Sequence, residues 1–502
     1  MNRQIRSLAA VAVLGLAGMA WGPLQAGERP HLVLIEVDDL TFKYLGAFGA
    51  RHVRTPAIDA LAARGVLFTN AIVQGCMCAP SRNSLVTARY PQNLGLYSNG
   101  DIRQMPADTW AFPAALQRAG FHTAWIGKSH LLPWIDDQSG HGGDRKTAGM
   151  KRRLGFSEVW QSAGRHVALK RARELAEDTA AGWQSGVDAY ADHLHERGLL
   201  SQFVADARQP TTLPVDDYLD GLVARKTVDW IAAYDRPEPF FLWVNFSGPH
   251  GPYNPPARYL SLYDPSQLPP VIAADGRSEI PACLRPHAWT KGEESIPAQR
   301  AEYAGMITFI DEQVGRIVAA IDQKGIADET VIAFFSDHGI MEGDHGLMHK
   351  QTLYKEVLNA CLIMVDPRGG RGKRVERTVE LLDLAPTVLE LAGVSEAERQ
   401  RAFGESLLPL LRESGDRYRR TTAVAQIRDA TALVTDRYKY IETPEGPVLF
   451  DLAVDPDEQA NVASAHPELC AEMQARLEGW RAEHGPVIPP PRRLDRAAGD
   501  EG

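Results

Sequence analysis

Four short runs of almost unbroken apolar residues punctuate the chain, and each ends on residues able to do chemistry. "HLVLIEV" (31–37) runs into Asp38 and Asp39, and "FHTAWIG" (121–127) into Lys128 and His130. "PFFLWVNF" (239–246) runs into a Ser-Gly-Pro-His ending at His250, and "TVIAFF" (330–335) into Asp337 and His338. Apolar runs this short, without polar alternation, belong to strands buried on both faces of a parallel sheet. Between them the pattern turns helical. "TPAIDALAARG" offers Thr55 as a cap, Pro56 at the first helical position and Gly65 as a stop. "AFPAALQRAG" ends at Gly120, and "AEYAGMITFIDEQVGRIVAAIDQKG" ends at Gly325. This alternation predicts an open α/β fold around a mostly parallel sheet. Ligands in such folds bind beyond the carboxyl ends of the strands, so the four polar clusters are expected to share one site.

The pattern changes after about residue 415. "TTAVAQIRD", "TALVTDRYKYIET" and "PVLFDL" read as short antiparallel strands, followed by a helical "PELCAEMQARLEGW". These predict a large domain over 27–415, a small C-terminal α+β domain over 416–488, and a disordered tail over 489–502. The stretch from about 135 to 230 is helical in pattern and basic, with Arg145, Lys146, Lys151, Arg152, Arg153, Lys170, Arg171 and Arg173. It reads as a solvated face, with a rim for a polyanionic glycan as the alternative.

Residues 1–26 differ in kind. Arg3 and Arg6 precede the apolar "LAAVAVLGLAGMAWG", and "LQA" closes on Ala26, the form of a cleaved secretory signal peptide. The apolar run is short for a span, and no later stretch has membrane-spanning character, so an exported protein without stable membrane insertion is expected. A net charge of −10 over 502 residues argues against nucleic acid as a main partner. Five cysteines are too few, and odd in number, for a disulfide framework.

Two of them lie in "QGCMCAPSRNSLVTARYP" (74–91). A disulfide between Cys76 and Cys78 would close a strained ring. No further Cys or His accompanies the pair at zinc-ligand spacing. A bare thiolate at a helix N-terminus remains open, since the helix end would lower the thiol pKa.

Cys78-Ala79-Pro80-Ser81-Arg82, with Leu85, Thr87, Arg89, Tyr90 and Pro91 at their offsets, closely resembles the sulfatase signature. The resemblance extends over roughly 30–480. "VDDL", "GKSHL", "FSGPHGPYNPP", "SDHG", "GDHGLMHKQTLYKE" and "VLFDLAVDPDEQANVA" match further family elements in order. It implies an alkaline-phosphatase-like fold and oxidation of Cys78 to formylglycine by a maturation enzyme, the hydrated aldehyde serving as nucleophile. It implies a divalent metal held by Asp38, Asp39, Cys78, Asp337 and His338. Hard oxygen donors favour Ca²⁺, with Mg²⁺ as the alternative. Arg82, Lys128 and Lys350 would supply positive charge to an anionic ester. His130 would be the base that releases sulfate, and His250 the acid for the departing alcohol.

Departures are confined: Ala88 stands where Gly is usual, Ser129 where Trp is common, and Lys355 and "NACLIMV" sit at packing positions. Asp344, His345 and His349 read as loop residues beside the site. The implied activity is sulfate monoester hydrolysis on an aryl, choline or sugar sulfate. The alternatives are a phosphonate or phosphate monoester hydrolase of the same fold, and a binding protein that has lost catalysis.

Overall fold

The computed structural model describes residues 29–104, 108–131, 148–177, 188–273, 280–285, 295–412 and 415–489. The segment 1–26 read as a signal peptide, Arg145, Lys146 and almost all of the segment read as a tail lie outside these residues.

The strands, in chain order, are β1 (His31–Asp38), β2 (Val66–Phe68), β3 (Ala71–Ile72), β4 (His122–Lys128), β5 (Glu158–Ser162), β6 (Phe240–Pro249) and β7 (Thr330–Ser336). They continue with β8 (Ile363–Val365), β9 (Lys373–Val375), β10 (Val379–Glu380), β11 (Ala423–Ile427), β12 (Ala430–Val434), β13 (Tyr438–Glu442) and β14 (Val448–Asp451). Eight form the central sheet in the order β5-β4-β6-β1-β7-β8-β2-β9. From β5 to β7 all neighbours are parallel. β8 runs antiparallel to both β7 and β2, and β9 is parallel to β2.

The four apolar runs of the sequence are β4, β6, β1 and β7, side by side at the centre of the sheet and buried almost throughout. Being parallel neighbours, they end at the same edge of the sheet. That places Asp38, Lys128, His250 and Asp337 together. β5 was not legible as a strand. It is the edge strand, half-exposed, and "EVWQS" mixes polar with apolar residues accordingly.

The expected helices are present, with one correction to the capping. Helix α1 (Pro56–Arg64) begins after Thr55, but the Thr55 hydroxyl donates to Asp59 instead of capping the helix amides. Asp311, from the helix Ile296–Lys324, accepts from Ala57 N at 3.1 Å and Ile58 N at 2.8 Å. Capping here is tertiary, 254 residues away in sequence, and so invisible in the local pattern.

β11 to β14 form an antiparallel meander, followed by the helix Pro467–Glu483. Leu433, Tyr440, Phe450, Leu477 and Trp480 from this region join one buried apolar cluster with Val86, Trp125 and Trp243 of the larger unit. All five cysteines are free thiols.

Candidate active site

Helix α2 (Cys78–Thr87) is buried along its whole length and points its first turn at the strand ends. Cys78 Sγ lies 3.2 Å from Asp38 Oδ1, 3.2 Å from Lys350 Nζ, 3.4 Å from His338 Nε2 and 3.8 Å from Lys128 Nζ. Three strand ends and one loop therefore meet at one sulfur. Just before Lys128, Gly127 takes φ 119°, where a Cβ would lie 1.9 Å from Asn245 O. Asp39 adopts φ 62°, a left-handed conformation rarely held by a non-glycine residue away from functional sites.

One turn further along α2, Arg82 is fully buried. Its Nε donates to Asp337 Oδ2 at 2.8 Å and its Nη1 to Asn245 Oδ1 at 3.0 Å. Nη1 also lies 3.4 Å from Glu36 Oε2, which accepts from Trp243 Nε1 at 2.9 Å. Lys128 ion-pairs with Asp38, and Lys350 with Asp39 at 2.7 Å. His250 Nε2 is 3.8 Å from Asp39 Oδ2, and its Nδ1 lies 2.9 Å from Gly251 O. His130 follows β4 at φ 42°, its carbonyl accepting from Asn83 Nδ2 at 3.3 Å.

Burial opposes ionisation of Asp38, but Lys128, His250, Arg82 and Lys350 outweigh it and hold the carboxyl well below its usual range. Asp39 is likewise lowered, against burial, chiefly by Lys350. Asp337 is raised by burial and by Asp38. Burial, then Asp38, pushes the Cys78 thiol up, so the expected lowering by the helix end is overturned. A desolvated helix terminus beside a carboxylate cannot stabilise a thiolate. Burial also lowers His250 to about 3; Asp39 opposes this shift, while Lys350 and Lys128 add to it.

Ligand atoms of Asp38, Cys78, Asp337 and His338 all lie within 4.8 Å of one another, and all four residues are buried. Four carboxylates (Glu36, Asp38, Asp39, Asp337) face the three cations Arg82, Lys128 and Lys350 in this buried space. A hard divalent ion fits that excess of negative charge and that donor set. Asp39 stands outside the group of four, turned towards Lys350 and 3.3 Å from His338 Nδ1.

A family model described as "Sulfatase" matches residues 30–394. The chain belongs to the sulfatase family. Membership places it among the sulfuric ester hydrolases. A second model, "N-sulphoglucosamine sulphohydrolase, C-terminal", matches residues 343–483. An arylsulfatase of Clostridium perfringens is 26% identical over 490 residues, covering 90% of this chain and 96% of the relative. A choline-sulfatase of Rhizobium meliloti is 27% identical, covering 87% and 82%. Among solved structures, the phosphonate monoester hydrolase of Agrobacterium radiobacter superposes with a TM-score of 0.75 at 26% identity, covering 91% and 96%.

The sulfatase signature explains one departure. Ala88 is the left-handed C-cap of α2, φ 49° and ψ 48°, a position that glycine holds without strain. Ser129 is buried and donates to Gln161 Oε1, and Lys355 pairs with Asp457. Asp344 pairs with Lys43, and His345 stacks on Tyr354 at 4.1 Å.

Four residues around the site escaped the sequence reading: Glu36, Asn245, Arg165 and His166. A charged Glu36 inside an apolar strand was an available signal. Arg165 and His166 follow β5, so the rule of strand ends would have found them had β5 been read as a strand.

Proposed function

We propose that this sulfatase is an exported hydrolase of sulfate monoesters, with formylglycine made from Cys78 as nucleophile and a divalent ion, Ca²⁺ for preference, beside it. The observation that carries the proposal is the place of Cys78 Sγ: buried among Asp38, Lys128, His338 and Lys350, where burial and Asp38 push the thiol pKa up. A thiol in that state is a poor nucleophile, yet every neighbour suits an oxygen nucleophile and an anionic ester. The catalytic unit is residues 27–415, with 416–488 as a C-terminal unit. Among the described residues no helix is long and apolar enough to cross a membrane.

Hydrated formylglycine supplies one hydroxyl to displace the alcohol from sulfur and a second whose deprotonation releases sulfate. A divalent ion would be held by Asp38, Asp337, His338 and residue 78, with Asp39 able to join them by turning from Lys350, and would supply Lewis-acid polarisation of the ester. Lys128 and Lys350 provide fixed positive charge for the sulfate oxygens. Arg82 holds Asp337 in place by its Nε. His130 takes the proton in the second step. His250 donates one to the leaving oxygen. Burial with two lysines keeps His250 neutral before the ester binds, and the negative charge of the ester favours its imidazolium form.

The alternative of phosphonate ester hydrolysis is favoured by the structural similarity to the Agrobacterium radiobacter enzyme. Paired initial rates on an aryl sulfate and an aryl phosphonate ester decide between them. Mass spectrometry of the peptide 71–89 from active enzyme is expected to show the aldehyde; activity with only a thiol at Cys78 overturns the nucleophile. His250→Ala is expected to lose about 10²–10⁴-fold on an alkyl or sugar sulfate but much less on an activated aryl sulfate. Equal losses on both would assign His250 to binding alone.

A further inference from the structure

Exposure at the site follows a gradient. Asp337 and His338 are 0% exposed, Asp39 4%, Lys350 11% and His250 16%. Among the described site residues, His130, His250 and Lys350 are the half-buried ones, so the way out is bordered by these three. A sulfate group seated near Cys78 would project its alcohol between them, with His250 on one side. Beyond His250 stands His166, solvent-exposed, its ring stacked on that of His250 at 5.7 Å and 24°.

His166 is held there by a built corner. Gly164, at φ 106°, turns the chain from β5 into the helix Arg165–Glu177. Asp188 fastens the turn by accepting from Ala163 N at 2.7 Å and from the Ser162 hydroxyl at 3.1 Å. Arg165 is 1% exposed. Its Nη2 donates to His250 O at 2.6 Å and its Nη1 to Asn254 Oδ1 at 2.8 Å, with the guanidinium 5.1 Å over Tyr218. One buried cation thus ties the backbone of His250 to the residue before His166.

We propose that His166 is the specificity-determining residue of the leaving-group subsite, packing against a ring-bearing alcohol, aryl or sugar, as it leaves past His250. An imidazole offers a flat face to a ring and a nitrogen to a hydroxyl. A quaternary ammonium is disfavoured, because Lys350 borders the same passage and like charges repel. The inference rests on the sulfate-ester reading above and names the alcohol class that reading leaves open.

The experiment measures kcat and KM for wild type, His166→Ala and His166→Phe on an aryl sulfate, a monosaccharide sulfate and choline sulfate, together with inhibition by inorganic sulfate. For His166→Ala, KM on the ring-bearing esters is expected to rise about tenfold or more, the scale of one lost pocket contact. The inhibition constant of sulfate should stay within about twofold, because the sulfate does not touch His166. His166→Phe should restore the aryl ester and not the sugar if a hydroxyl contact operates; restoration of both assigns the gain to ring packing alone. Choline sulfate is expected to be the poorest wild-type substrate. The proposal is overturned if KM on ring esters is unchanged, if sulfate inhibition weakens in parallel, or if choline sulfate is the best substrate. Should the wild type cleave phosphonate and not sulfate esters, the sulfate reading fails. The same variants on aryl and alkyl phosphonate esters, with inorganic phosphate as the inhibitor, then test His166 separately.

Discussion

Helix α2 has a cluster of buried charge at each end. At its start, Arg82 lies among Glu36, Asp38 and Asp337, with Lys128 and Lys350 on the other side of Cys78. Just past its finish, Tyr90 donates to Glu380 Oε2 at 2.8 Å, and Arg420 ion-pairs with Glu380 and Asp383 at 2.9 Å each. The second cluster is closed. Both oxygens of Glu380 and both of Asp383 accept hydrogen bonds, from Val424 N, Tyr90, Glu405 N, Glu380 N, Tyr418 and Arg420. The first is left open: Arg82 Nη2 and Glu36 Oε1 are buried without a hydrogen-bond partner. Orphaned buried polar atoms are uncommon in native proteins. The same residue types thus make a closed structural staple at one end and a cluster with unpaired buried polar atoms at the other.

The largest expected effect separates the two directly. Asp337 is raised by burial and Asp38, so its charge is poorly supported by the fold. Asp337→Asn should therefore lose the stoichiometric divalent ion and turnover on the order of 10³-fold, the scale of removing a preorganised electrostatic group. Stability should fall by less than about 2 kcal/mol. Elemental analysis, kinetics and urea unfolding read the three outcomes. A loss of stability as large as that expected at Arg420 would make the first cluster a staple as well.

Arg420→Met reverses the signature. It leaves two buried carboxylates without their cation, which costs about 3–5 kcal/mol, with turnover per folded molecule unchanged. Burial pushes Glu380 up to about 7, Arg420 opposing the shift and Asp383 adding to it. Its proton is held more tightly in the folded than in the unfolded chain. The stability this provides is therefore full below the unfolded carboxylate range and lost as pH rises through about 7. Removing Arg420 tightens the hold on that proton further. The deficit of Arg420→Met should thus be larger at pH 8 than at pH 5 by urea unfolding. Equal deficits would show that Glu380 does not titrate as assigned.

What the sequence disclosed follows the same division. Continuous apolar strands announced the centre of the sheet, and their parallel order carried Asp38, Lys128, His250 and Asp337 to one edge. The signature motif pointed to Cys78 and Arg82 because chemistry needs those side chains at one helix start. Arg165 was hidden because the edge strand before it is half polar. The Asp311 cap of α1 was hidden because it comes from a distant helix. Tyr90 was visible as part of the signature, but its work could not be read there: Glu380 lies 290 positions away.

Tyr90→Phe gives the smallest effect and the sharpest test of that division. The ring stays, with its edge contact to Trp480 at 4.7 Å, and only the hydroxyl on Glu380 Oε2 is removed. Arg420 Nη1 still forms an ion pair with that oxygen, so the loss should be about 1–2 kcal/mol. Turnover should stay within about twofold. Combined with Arg420→Met, the two losses should depart from additivity by at least about 0.5 kcal/mol, because both act on one carboxylate. Combined with Asp337→Asn they should add, because Tyr90 and Asp337 share no partner. Non-additivity with Asp337, or a tenfold fall in kcat for Tyr90→Phe alone, would mean that α2 transmits strain between its ends. The signature would then be one mechanical unit, not a catalytic half joined to a structural half.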